Sequence, residues 1–347
     1  MPDYREVTIY DIAKHLNISA ATVSRGLKNN PMIKKSTRKK ILDAAKSLGY
    51  QSNTFASSLR SRHTHTLGVL VPRLNSYFMS SVLAGMENAA NRHGYNLIIA
   101  QSLEDAEKEK ANASTMFNKR VDGLLVSLTY NTENINHLEP FFRRKIPVVF
   151  FDRVHNHTDS TSVVIDNYSA AYNITQHFIE QGCKRIMHLG GNTLRNVYKD
   201  RLEGYKQALK DNNLPFIEDF HLVTMLTEEA GTEAAKFILN LNPNERPDAV
   251  FSANDTAAVY CMLALKTAGL RIPEDIAFAG FNNDPISKVI EPNLTTVDYA
   301  GGTMGDTAIT NLIGHIKGTS NLYITNSITL RADLVIRGSS LKTNRKL

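Results

Sequence analysis

The residues of this chain with the clearest chemistry lie near its start, where small and basic side chains share one side of a helix. In VTIYDIAKHLNISAATVSRGLK, residues 7–28, Val23 and Leu27 face one way; Ala20, Ala21, Thr22, Ser24, Arg25 and Lys28 face the other. The two alanines put nothing bulky between the backbone and a flat surface, and their methyls suit the methyl of thymine. Arg25 carries a fork of donors that matches the O6 and N7 acceptors of guanine. Thr8, Tyr10, Ser19, Thr22, Ser24 and Lys28 bear the hydroxyls and the ammonium that hold phosphates, contacts that carry affinity without sequence information. Lys34, Lys35, Arg38 and Lys39 add attraction at longer range. The chemistry these groups share is the reading of duplex DNA through its major groove.

Such groups need rigid elements beneath them. Thr8 caps a first helix, with Asp11 at the spacing of a capping box, and Ile9, Ile12, Ala13 and Leu16 form its apolar face. Asn17-Ile18-Ser19 breaks the helix, and Ser19 caps the second. Residues 36–48, STRKKILDAAKSL, read as a third helix capped by Ser36. Ile41, Leu42, Ala45 and Leu48 form its stripe, and Gly49 is its stop. Three short helices around one small core make a helix-turn-helix headpiece. A polar helical hairpin with no partner is the alternative, and charge argues against it. Residues 1–65 hold 12 Lys and Arg against 4 Asp and Glu, a balance of +8; the rest holds 28 against 30. The chain's formal +6 is therefore a property of its N-terminal end, as phosphate attraction requires.

From residue 67 the pattern changes. Apolar runs at 67–71, 96–101, 123–128 and 147–152 alternate with helical stretches, and runs at 163–166, 185–191, 220–225, 248–253 and 276–281 resume the alternation. Unbroken Val/Ile/Leu runs between helices indicate strands buried on both faces, hence parallel sheets. Two series, near 67–165 and 166–290, imply two Rossmann-like lobes. A strand near 295–298, a helix near 305–316 and two final strands follow. In parallel sheets, ligands sit beyond the carboxyl ends of strands. Tyr77 and Phe78, with polar neighbours Asn75 and Ser76, stand there after the first strand and suit stacking on a flat or sugar-like face.

Length suits a headpiece plus a two-lobed body. The two cysteines, Cys183 and Cys261, lie far apart, fit buried reduced thiols, and belong to no cluster with metal-ligand spacing. No signal peptide or membrane-length apolar run occurs, so a cytoplasmic protein is expected. Catalysis lacks a constellation. LGGN at 189–192 fits neither dinucleotide nor P-loop patterns, Gly301, Gly302 and Gly305 precede no Walker lysine, and His155 and His157 read as loop residues. No enzyme activity, metal or cofactor is expected.

VTIYDIAKHLNISAATVSRGL, then GYQSNTFASSL, then LGVLVP, resemble the lactose/galactose-repressor (LacI/GalR) family of bacterial transcription regulators, and the likeness of order and spacing runs from about Thr8 to the C-terminus. It implies a headpiece at 1–51, a hinge helix and linker at 52–66, and a periplasmic-binding-protein-like body at 67–340. Lobe 1 would take about 67–165 plus 296–325, lobe 2 about 166–292 plus 326–340, and 341–347 would form a basic tail. Within the linker, Asn53 can cap a helix of barely two turns containing Ala56 and Leu59, too short to be stable alone and expected to fold on DNA. The resemblance places Leu59 as the wedge that enters the minor groove. It also places Arg201, Arg195 and Asn254 as contacts to an effector in the cleft between the lobes, with Asp255 equally readable as a helix cap. Asn282 stands where the family commonly has an aspartate. An amide there weakens the case for an ordinary sugar and fits an effector bringing its own negative charge. Leu226 stands where some members have an aromatic platform.

The implied protein is a repressor of metabolic, carbohydrate-type genes. It would act as a homodimer or dimer of dimers on a palindromic operator, switched by a sugar, sugar phosphate or other metabolite as inducer or corepressor, with no role at a membrane. Two rivals remain: control by a phosphorylated protein, and a solute sensor whose headpiece no longer serves DNA.

Overall fold

The computed structural model describes residues 7–50, 63–319 and 326–342, and the chain divides into two units, Met1–Thr64 and His65–Leu347. The first holds helices α1 (Ile9–Leu16), α2 (Ala20–Leu27) and α3 (Lys35–Ser47). The backbone N–H and hydroxyl of Thr8 both donate to the Asp11 carboxylate at 2.7 Å, and the Ser19 hydroxyl accepts from the Thr22 N–H at 3.2 Å. Between the helices Asn17 takes the left-handed conformation that ends α1. Ile12, Val23 and Ile41 are fully buried at the centre. A Cβ on Gly26 would lie 2.4 Å from Ile41 Cδ1, so α2 meets the Ile41 side chain of α3 at close range through a glycine.

Two details of α3 differ from the sequence reading. The helix begins a residue earlier, after Lys34, so Ser36 lies inside it and caps nothing. Leu42 is 44 % exposed while Ala44 is buried. With 3.6 residues per turn, 41, 44, 45 and 48 share a face and 42 stands about 100° away from 41. Gly49 ends the helix at φ +69°, and the Tyr50 N–H closes back on the Ala45 carbonyl at 2.9 Å.

The second unit contains two parallel sheets. The first lobe's sheet has six strands: β1 (Thr66–Val71), β2 (Asn96–Gln101), β3 (Gly123–Val126), β4 (Val148–Phe151), β5 (Ser160–Ile165) and β11 (Ser327–Leu330), in the order β11-β5-β4-β3-β1-β2. Helices α4 (Tyr77–Arg92), α5 (Ala106–Asn118) and α6 (Glu139–Arg143) belong to it. The second lobe's sheet runs β7-β6-β8-β9, from β6 (Ile186–Gly190), β7 (His221–Val223), β8 (Ala249–Ser252) and β9 (Ala277–Ala279). Its helices are α7 (Asn167–Glu180), α8 (Asn196–Asp211), α9 (Glu228–Asn240), α10 (Asp255–Thr267) and α11 (Ile286–Val289). Strands β3, β4, β6, β8 and β9 are buried throughout, as continuous apolar runs require. Strand β2 departs from that rule: it is the sheet's edge, and Ile98 and Ile99 are exposed.

The C-terminal segments are shared out differently from the sequence expectation. Strand β10 (Thr296–Asp298), assigned to lobe 1, lies against the second lobe: the Gly280 and Asn282 N–H groups donate to the Thr295 and Val297 carbonyls. Strand β11, assigned to lobe 2, pairs with β5 and completes the first sheet. Strand β12 (Asp333–Val335) then pairs antiparallel with β10. Strands of three or four residues carry no pattern that reveals their partner, so only hydrogen bonding places them. Lys342, assigned to the basic tail, is docked on the second lobe through the Asp248 carbonyl. Helix α12 (Gly301–Ile316) packs on α4 at very short range. A Cβ on Gly305 would fall 2.0 Å from the Val82 carbonyl oxygen, so these glycines serve helix contact.

Candidate functional site

On the headpiece, α2 exposes Ala21 and Arg25 and its C-cap exposes Lys28, with Thr8, Tyr10 and Ser19 also exposed. Neither Arg25 nor Lys28 belongs to an ion pair among the described residues. Ala20, Thr22 and Ser24 are half-buried, and Ala20 packs against the headpiece core, so its methyl is only partly available to a base. The hydroxyls are partly committed. Thr8 donates to Asp11, while Ser19 and Thr22 share one bond at 2.8 Å that leaves one of their two protons for a phosphate. Asn53, Ala56 and Leu59 lie outside the described residues.

In the body, a cleft of about 660 Å³ lies between the lobes, at the carboxyl ends of their strands. Tyr77, 57 % exposed, stands at its edge, and Phe78 is both core and wall, stacked on Tyr299 at 4.1 Å. Arg201, only 3 % exposed, is held by α8. It donates from Nε to Asn167 Oδ1 at 2.8 Å and from Nη1 to the Ala253 carbonyl at 2.7 Å, with its plane over Phe281 at 3.5 Å. Nη2 has no such bond among the described residues, so one donor of a fixed fork faces the cleft. Opposite, Asp152 accepts from the Tyr299 hydroxyl at 2.8 Å, and burial raises its pKa against the pull of Arg153 and Arg201. Arg153 donates to both oxygens of Glu104 at 2.9 Å and to the Tyr198 hydroxyl at 3.0 Å. Tyr130 and Tyr198, one from each lobe, stack at 5.4 Å. Gly191 makes room for them: a Cβ there would lie 2.5 Å from the Tyr130 hydroxyl. Asn254 lines the cleft, yet both ends of its amide are engaged, with Ala257 N–H and the Leu226 carbonyl. It is the cap of α10; Asp255 beside it is fully buried and accepts from the Asp284 N–H and the Thr296 hydroxyl. Asn282 and Asp284 form the floor from the second lobe.

Residues 8–53 match the family profile described as bacterial regulatory proteins, lacI family, and residues 175–340 match a periplasmic binding protein-like domain. Catabolite control protein A of Priestia megaterium is 33 % identical over 84 % of this chain and 87 % of its own length. The chain belongs to the LacI family. The HTH-type transcriptional repressor PurR of Photorhabdus laumondii is a further relative, 32 % identical over 89 % of this chain and 90 % of its own. The lac repressor dimer bound to operator and the anti-inducer ONPF has the same fold, with a TM-score of 0.87 over 97 % of this chain and 100 % of its own at 24 % identity. The protein is thus a LacI-family DNA-binding transcription regulator, and the relatives named here are regulators and not enzymes.

Within this LacI-family body the structure gathers Tyr77, Phe78, Arg201, Asn254 and Asn282 around one cleft. Arg195 is not among them. It is 4 % exposed and reaches across the lobes to the Thr132 carbonyl, because its place at the cap of α8 turns it toward the opposite lobe. Leu226 is buried beside Tyr130 and Tyr198, which provide the aromatic surface it lacks. The expectation of an anionic effector, argued from Asn282 alone, meets a nearby carboxylate: Asp284 lines the same floor. Asp152, Tyr299 and Asp284 escaped the sequence reading. Asp152 follows β4 and Asp284 follows β9, as Tyr77 follows β1, so the strand-end rule reaches both; Tyr299 depends on where β10 docks. Among the described residues no cluster of His, Cys, Asp or Glu could hold a metal, and both cysteines are buried and free. No described helix is long and apolar enough to cross a membrane.

Proposed function

We propose that this regulator is a repressor that places two headpieces on the half-sites of a palindromic operator as a homodimer or dimer of dimers, and that a polyhydroxylated metabolite in the interlobe cleft controls its grip. The outward Arg25 beside Ala21 carries the DNA half of this reading: a bidentate donor on a helix with little bulk before it suits guanine in a major groove. Thr22, Ser24, Lys28, Ser19 and Tyr10 position the helix on phosphates, and Leu59 enters the minor groove from the linker. The exposed Ile98 and Ile99 on the edge of the first sheet support a second copy as partner, since an apolar edge left in water invites pairing. For the cleft, the rings of Tyr77, Phe78, Tyr130, Tyr198, Tyr260 and Tyr299 around buried polar groups suit a ligand with apolar faces and many hydroxyls. The ligand shifts DNA affinity by binding one arrangement of the lobes better than the other.

The test is Arg25→Ala in gel-shift titrations against an operator selected from random palindromes and its single-base variants. The variant is expected to lose roughly 1–3 kcal/mol and to relax preference at one base position per half-site. Unchanged preference across the series removes Arg25 from base reading.

A further inference from the structure

The charges around the cleft narrow the class of ligand, an inference that rests on the cleft being the effector site. Three guanidiniums line it, from Arg73, Arg153 and Arg201, against five carboxylates. Two of those carboxylates have cations: Glu104 takes Arg153 at 2.9 Å with Arg73 at 3.9 Å, and Asp152 faces Arg153 and Arg201. The other three, Glu228, Glu229 and Asp284, stand on the second lobe's wall and belong to no ion pair among the described residues. Glu228 and Glu229 are exposed at the start of α9, where hydroxyls of Tyr260 and Thr227 bond them. Asp284 is different. It is 8 % exposed; the Asn282 amide reaches its carboxylate, but its Oδ1 is buried with no hydrogen-bond partner among the described residues. A buried carboxylate oxygen without a donor is costly and rare, and in a ligand cleft the missing donor points to the ligand.

We propose that Asp284 accepts a hydrogen bond from the effector and sets its charge class: a polyhydroxylated ligand that is neutral or, preferably, bears an ammonium group toward the second lobe's wall, and not a phosphorylated or carboxylated one. Asn282 then makes chemical sense. The carboxylate sits two positions further along the same loop, so the site keeps one acceptor for hydroxyl or ammonium donors while the amide at 282 both donates and accepts. Arg201 remains for hydroxyl oxygens, with Asp152 across from it balancing its charge. An anionic group on the second lobe's wall would meet Asp284, Glu228 and Glu229, against which this lobe contributes to the lining only Arg201, already facing Asp152.

Calorimetry on the full-length protein with three matched probe sets tests this: free mono- and disaccharides, their amino-substituted counterparts, and their phosphate esters. A neutral or amino sugar is expected to bind, its phosphate ester at least tenfold more weakly. Asp284→Asn, isosteric and of the same fold by circular dichroism, is expected to weaken the best amino sugar by tenfold or more. A phosphate ester that binds more tightly than its parent sugar overturns the charge-class proposal and leaves the cleft reading standing. Unchanged affinity in Asp284→Asn does the same. Silence from all three sets, with operator binding intact, overturns the cleft as effector site and this inference with it.

Discussion

Burial pushes the carboxyl of Asp284 up to about 6 from an ordinary 3.8, with the Asn282 amide offsetting part of that rise. Because the folded value lies above the unfolded one, the folded state holds the proton more tightly. Stability from this group therefore falls as pH rises from about 4 to about 6, and the full cost persists at neutral pH. Asp284→Asn removes the charge and keeps the shape. The variant should resist denaturant better than the parent by about 3 kcal/mol at pH 7.5, with the difference vanishing below pH 4. Equal stability of the two proteins at pH 7.5 would remove the buried-charge account. A binding group that costs stability in the free protein is the usual trade of a site prepared for a ligand. Arg201 makes the same trade more cheaply, since Asn167, Ala253 and Phe281 already hold most of its guanidinium.

At the scale of elements, the α4–α12 contact is set by glycines. In an isolated helix, alanine is better than glycine by about 1 kcal/mol. At position 305 the packing reverses that preference, because a Cβ there would meet the backbone carbonyl of Val82 at 2.0 Å, and backbone has no rotamer by which to move aside. Gly305→Ala should therefore lower the melting temperature of the body, by a loss of roughly 1–3 kcal/mol. A rise in melting temperature would mean that helix propensity decides the outcome and that the helices yield freely. The same logic separates the two kinds of strand. Buried strands such as β4 announce themselves by an unbroken apolar run, whereas β2 has a similar run and ends at an edge with Ile98 and Ile99 in solvent.

For the whole body, the two lobes are clasped beside the cleft by the start of α8. Arg195 bonds the Thr132 carbonyl, and Asn196 takes the Val154 N–H at 2.9 Å while donating to the Asp152 carbonyl at 3.0 Å. These contacts hold the lobes in one of the arrangements a switch would choose between, and they stand outside the groups that would grip a ligand. Removing one should free the lobes without altering the lining. In Arg195→Ala, hydrogen exchange at the Val154 amide should accelerate about tenfold, equivalent to about 1.4 kcal/mol of local opening. An unchanged rate at that amide would show that the clasp does not depend on Arg195.

The sequence by itself determined the headpiece almost completely, from the Thr8–Asp11 and Ser19 caps to the outward Arg25, because caps and helical periodicity act within a few residues of chain. It also determined the two parallel sheets, because strands buried on both faces must be apolar throughout. Only the tertiary structure decided which sheet takes β10 and β11, that Arg195 turns from the cleft to the opposite lobe, and that Asp284 joins Arg201 and Tyr77 around one cleft. Those outcomes rest on contacts between segments well separated along the chain, such as Arg195 with Thr132 and β11 with β5. Such contacts leave no local period or spacing to read, since their energy comes from what the folded chain brings alongside.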